Sequence, residues 1–245
     1  AFADGDCWPE PRWLEALLAP FTEATTRVVA GRTTYRADAL GIAASTIDFN
    51  YYPSPLGADC VKNFYANNVA FRREVFERHA YAPADRIYRG HCQVLGMRLF
   101  RAGIPVRFVS AARTVHRFPD SVRDFVKLRL HRGADARELA PHLARAVLPR
   151  SLGWVGRLGP VSACAVLAPR LAYSVGALGH QDMPEQRKRD RLKSLSLIGA
   201  IHALDLVGGL LGNRVLERER ARAQENLSYH GNADGLYHQD CLRTR

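Results

Sequence analysis

Apolar positions recur along the first half of the chain in patterns that predict short alternating elements. Trp13, Leu14, Leu17, Leu18 and Phe21 fall at helical spacings after Pro9 and Pro11, so a helix is expected there. Residues 1–4 read as the end of a buried strand, with Asp4 and Asp6 at its C-terminal lip. RVVAGRTTY (27–35) has the β-branched content of a strand. From 36 to 66 the pattern weakens, and FNYYPSPLG (49–57) reads as an irregular aromatic loop. Order returns with a short strand at Val69–Phe71 and a helix through Phe76. A longer helix covers 89–102, ended by Gly103. PVRFVS (105–110) is a strand and ARTVHRF (112–118) a second extended piece. A basic amphipathic helix over 120–133 follows, capped by Asp120 or Ser121. This alternation up to about 135 suggests an α/β layer structure.

The pattern changes after about 150. Residues 152–179 are apolar, rich in Gly and Ala, and interrupted by Arg157 and Arg170. A charged stretch, QDMPEQRKRDRLK (181–193), leads into SLSLIGAIHALDLVGGLLG (194–212), which has no Lys or Arg. That stretch is about the length that spans a bilayer, but it holds His202 and Asp205 and four glycines. Ser194, His202, Asp205 and Gly209 fall on one face of it. A spanning helix, a helix lying in the interface and a helix packed on 152–179 all fit. Basic flanks on both sides suit an anionic leaflet and give no orientation.

Composition narrows the partners. The chain has 245 residues, 47% of them apolar and 24% charged, as in ordinary globular proteins. A formal charge of +11, from 35 Lys and Arg against 24 Asp and Glu, favours polyanions. No helix-turn-helix, zinc-finger or RNA-stacking motif appears, so nucleic acid is not an expected partner. The five cysteines are odd in number, far apart and never Cys-x-x-Cys. This argues against a disulfide framework or zinc ribbon and suits a reducing compartment. The first residues carry carboxylates rather than a basic region, so no signal peptide is expected.

Asp4 and Asp6, one residue apart, bring two carboxylates toward one small volume, which suits a hard cation such as Mg²⁺ or Mn²⁺. The bland alternative is a turn with an N-cap. Taken together, FADGDCWPEPRWLEALLAPF, NNVAFRREVFERHAY and LFRAGIPVRFVSAARTVHRFPDS resemble a family 2 glycosyltransferase of the GT-A fold, over roughly residues 1–140. In that family the Asp-x-Asp lies halfway through the catalytic domain. The resemblance therefore implies a partial GT-A (nucleotide-diphospho-sugar transferase) domain that lacks its N-terminal half and is inactive alone. It implies three segments: 1–140 from that domain, 141–215 an apolar, mainly helical, membrane-associated appendage, and 216–245 a polar tail.

The resemblance also implies roles. Asp4 would lie near ribose and metal, Asp6 and His116 at the metal and diphosphate, and Asn67 and Asn68 along the sugar and acceptor cleft. Arg129 and Arg132, in a cationic run with Lys127 and His131, would face the diphosphate or acceptor, unless that run is a solvated helix face. The family's Glu-Asp pair, whose Asp is the base, falls on His91 and Cys92. A neutral imidazole can accept a hydroxyl proton, so His91 is the candidate base and Asp85 the second; alternatively, His91 only starts the helix. The implied reaction moves a sugar from a nucleotide-diphosphate donor to a hydroxyl of a glycan or lipid-linked acceptor, with inversion. It would occur at the cytoplasmic face of the inner or plasma membrane. The alternative is a non-catalytic GT-A-like scaffold, supported by the missing carboxylates.

Overall fold

A computed structural model describes residues 1–81, 90–147, 154, 158, 160–180 and 188–212. The chain is mixed α/β: a five-stranded sheet with helices against it, followed by two long helices. The strands are β1 (Cys7–Pro9), β2 (Val28–Thr34), β3 (Cys60–Val61), β4 (Val69–Phe71) and β5 (Val106–His116). The helices are α1 (Trp13–Leu18), α2 (Ala39–Asp48), α3 (Arg73–Arg78), α4 (His91–Arg101), α5 (Val122–Val147), α6 (Pro160–His180) and α7 (Lys188–Leu211). The sheet runs β1-β5-β2-β4. Its β2–β5 pair is parallel, its other pairs are antiparallel, and β3 also pairs with β5.

Four sequence expectations change. Residues 1–4 are exposed and make a single bridge, Phe2 to Val69, rather than forming a buried strand. The weak stretch after 36 contains α2, whose start is fixed by Asp38 Oδ1 accepting the Gly41 N–H at 2.7 Å. From Gly41 to Asp48 every residue of α2 is buried. A helix buried all round shows no polar stripe, which hid it from periodicity. The two extended pieces at 105–118 are one strand. Its register against β2 jumps from Gly31↔Val109 to Arg32↔Arg113, so Ser110–Ala112 are skipped, and that irregularity reads as a break. Finally, the helix expected over 120–133 continues to Val147, straight through the boundary drawn at 140. Ser121 caps it: its Oγ accepts the Asp124 N–H, and its hydroxyl donates to Asp124 Oδ2.

The core has two larger parts. Under the sheet, Val28, Ala30, Phe64, Val69, Leu95, Leu99 and Val106 pack together. In the second, Ile42, Ile47, Phe49, Phe125, Leu178, Ile198 and Ile201 join α2 to α5, α6 and α7, while the opposite face of the sheet packs Val29, Ala70 and Ala112 on Leu17 of α1. The appendage therefore shares a core with the α/β layer.

Glycines allow α5 and α7 to meet closely. A Cβ on Gly133 would lie 1.9 Å from the Asp205 carbonyl oxygen, and one on Gly208 would lie 2.2 Å from that of Leu130. Gly133→Ala should thus cost roughly 1–3 kcal/mol, more than its gain in helix propensity returns. Urea unfolding measures this, and an unchanged midpoint would contradict the contact.

Candidate functional site

The pairing of β1 with β5 builds the site. Cys7 stands opposite His116, and the Arg117 N–H donates to the Asp6 carbonyl at 2.8 Å, which extends the pairing past the strand end. Upstream, the Asp4 carbonyl accepts the Cys7 N–H at 3.2 Å, closing a turn across Gly5. The carboxylates thus meet on a turn leading into β1, not on the lip of a preceding strand. One ligand atom each from Asp4, Asp6, Cys7 and His116 lies within 4.8 Å of the others.

His116 is oriented for ligation. Its Nδ1 sits 2.9 Å from the Arg117 carbonyl oxygen, which can only accept, so the proton belongs on Nδ1. Nε2 then faces the acids, 3.7 Å from Asp6 Oδ2. Partial burial raises the Asp4 pKa, Asp6 raises it further, and His116 pulls it back. Burial, with Asp6 and Asp4, pushes the Cys7 thiol up to about 12, so it is neutral in the free protein. Two carboxylates, an imidazole and a thiol at this separation form a donor set able to hold a divalent metal ion.

This cluster edges a cavity of about 560 Å³. His91 and Gln93 from α4, Asn67 before β4, and Arg132 and Asp135 from α5 also line it, as does Arg170 from α6. His91 opens α4 after Gly90, whose left-handed φ of 97° sets the entry angle. Asp85 lies outside the described residues. Cys92 is partly buried, and burial shifts its thiol upward, unlike a base working near neutrality.

The two asparagines separate. Asn67 borders the cavity and accepts the Thr33 hydroxyl at 2.9 Å. Asn68 instead fills the β2–β5 irregularity. Its amide donates to the Arg32 and Ala112 carbonyls at 3.0 and 2.9 Å, and its oxygen accepts the Trp13 indole N–H. Asn68 therefore holds the sheet together.

The arginines separate too. Arg129 is 1% exposed and donates to Asp48 through Nη1 and to Asp205 through Nε and Nη2. Arg132 reaches the same Asp48 at 2.6 Å, and its Nη2 donates to the Tyr35 hydroxyl at 3.1 Å. Two cations and two carboxylates balance beneath the cavity, so Arg129 supports the wall while the partly exposed Arg132 edges it. Sequence reasoning left Cys7, Asp48, Asp135 and Arg170 out of the site. Arg170 did leave a signal, a lone charge in an apolar helix.

No protein-family model matches the chain, and no curated protein matches its sequence.

Proposed function

We propose that this protein is the C-terminal part of a GT-A glycosyltransferase, acting on a nucleotide-diphospho-sugar donor and a glycan or lipid-linked hydroxyl acceptor. The observation that carries the reading is the convergence of Asp4, Asp6 and His116 on one edge of a cavity whose other walls hold Asn67, His91 and Arg132. Asp4, Asp6 and His116 would hold Mg²⁺ or Mn²⁺, which when bound supplies positive charge for a departing diphosphate. Arg132 and Arg170 add fixed cations to the cavity lining. Asn67 offers its amide N–H groups to sugar hydroxyls. His91 takes the proton of the acceptor hydroxyl as that oxygen attacks the anomeric carbon and the nucleoside diphosphate leaves, inverting the centre.

On this reading His91→Ala lowers kcat by about 10²- to 10⁴-fold with little change in KM, the size of a lost general base. Initial-rate kinetics of the natural full-length polypeptide with UDP- and GDP-sugars measure it. An unchanged kcat removes His91 from the role.

One observation favours a second reading, a binding scaffold without catalysis. Besides Asp4 and Asp6, the cavity-lining carboxylates among the described residues are Asp48, locked between two arginines, and Asp135. Nucleotide-dependent Mn²⁺ binding without sugar transfer or donor hydrolysis would establish the scaffold.

A further inference from the structure

The appended helices carry their buried polar groups where they face the protein, beside core residues Leu178, Ile198 and Ile201, and no charge where they face outward after Lys193. On α7 the inward residues include Ser194, His202 and Asp205, all under 7% exposed. Ser194 donates to the Ala39 carbonyl, His202 meets Ser174 of α6 at 3.2 Å, and Asp205 is held by Arg129. Outward, every exposed residue of α7 after Lys193, from Leu195 to Leu211, is uncharged. The same holds for every exposed residue described on α6, among them Val161 and Val175 at 61% and 41% exposure. A water-facing helix has the opposite arrangement, with its charges outward. In a chain with 24% charged residues, two packed helices whose exposed described residues are all uncharged after Lys193 present a face of the kind that meets a partner.

Charge identifies the partner. Arg191 and Lys193 are exposed at the beginning of this face, the position of headgroup-binding cations beside an apolar surface. We propose that the outer faces of α6 and α7 lie in the interfacial layer of an anionic lipid bilayer, as a platform that does not cross it.

Crossing is disfavoured by what α7 is attached to. Asp190–Leu211 is long and apolar enough to span, with mean hydropathy 1.7, but 39% of its apolar window is buried within the protein. Its inner face is bound to α2 and α5, and α5 begins with exposed Arg123, Asp124 and Lys127. A spanning α7 would either take those charges into hydrocarbon or separate Asp205 from Arg129, leaving a carboxylate unpaired there. Lying flat preserves every internal contact and buries only the uncharged side. Arg170 of α6 also lines the cavity, so the platform forms one wall of that site. The proposal stands independently of the transferase reading.

The test is flotation with vesicles made of equal parts phosphatidylglycerol and phosphatidylcholine, compared with phosphatidylcholine alone. The protein should float with the anionic vesicles. The double variant Leu195→Glu/Val207→Glu should bind at least about tenfold less while keeping the parent circular dichroism and melting profile, since both sites are exposed. Arg191→Gln/Lys193→Gln should lose about tenfold on anionic vesicles and little on neutral ones. Alkaline carbonate should release bound protein. Three results would overturn the proposal: equal binding by Leu195→Glu/Val207→Glu, retention through carbonate extraction, or no vesicle binding with a parent self-association that this variant abolishes. The last would assign the face to a second copy of the chain.

Discussion

Arg129→Leu is expected to lower the stability of the whole domain by roughly 3–5 kcal/mol, a large share of the 5–15 kcal/mol that folds a typical domain. The reason is what remains. Asp48 keeps Arg132 at 2.6 Å, but Asp205 loses the cation that holds both of its oxygens, in a site with 6% exposure. A buried carboxylate without its partner carries nearly its full desolvation penalty. Adding Asp205→Leu removes the stranded charge and should recover much of the loss, because Asp48 and Arg132 still neutralise each other. Urea unfolding of the parent, both single variants and the double variant closes the cycle. A single-variant loss below about 1 kcal/mol would mean that water reaches Asp205. The pH dependence has a definite sign. Burial alone would raise the Asp48 pKa, but Arg129 and Arg132 hold it below the ordinary value of 3.8. Its contribution is therefore complete above that value and is lost as pH falls through the lowered one.

This buried group marks the limit of what the sequence could show. Strand β2, strand β4 with the helix after it, α4 with its Gly103 terminus, and the Ser121 cap were legible because each is a local pattern. The ion group is not local. Asp48 closes a helix that periodicity missed, Arg129 sat in a cationic run, and Asp205 stood out only as a costly charge in an apolar stretch. Their pairing depends on α2, α5 and α7 meeting, and no spacing in the chain encodes that. It also orients α7: the polar face noted in sequence is its protein-facing side. At the site, the approach of Asp4 to Asp6 was legible from their separation. Cys7 required the β1–β5 register, which places it opposite His116. Asn68 looked like a cleft residue because a strand irregularity needing an amide plug leaves no mark in one sequence.

On the proposed reading, in which Asp6 is a direct ligand, Asp6→Ala should reduce Mn²⁺ affinity by at least the 10- to 100-fold typical of losing an outer-sphere contact. It leaves Asp4 and His116 in place, and Asp6 is half exposed, so the fold should be unaffected. Calorimetry of Mn²⁺ with and without UDP or GDP measures the change, and a circular dichroism melt checks the fold. Asp4 adds a pH signature. Its raised pKa means that protons compete with the cation at higher pH than they would for an ordinary aspartate. Asp4→Asn should therefore weaken binding and flatten its acid-side pH dependence. The same substitution should slightly stabilise the metal-free fold at neutral pH. A raised carboxyl pKa stabilises below the unfolded value and loses that contribution as pH rises, and Asn removes the repulsion from Asp6. A metal-free fold destabilised by Asp4→Asn, or Mn²⁺ affinity indifferent to both substitutions, would leave the Asp4–Gly5–Asp6 segment as a turn and nothing more. Nucleotide-enhanced Mn²⁺ binding that vanishes with Asp6→Ala would instead place the diphosphate beside the turn that leads into β1, in the cavity that Arg132 and Arg170 also line.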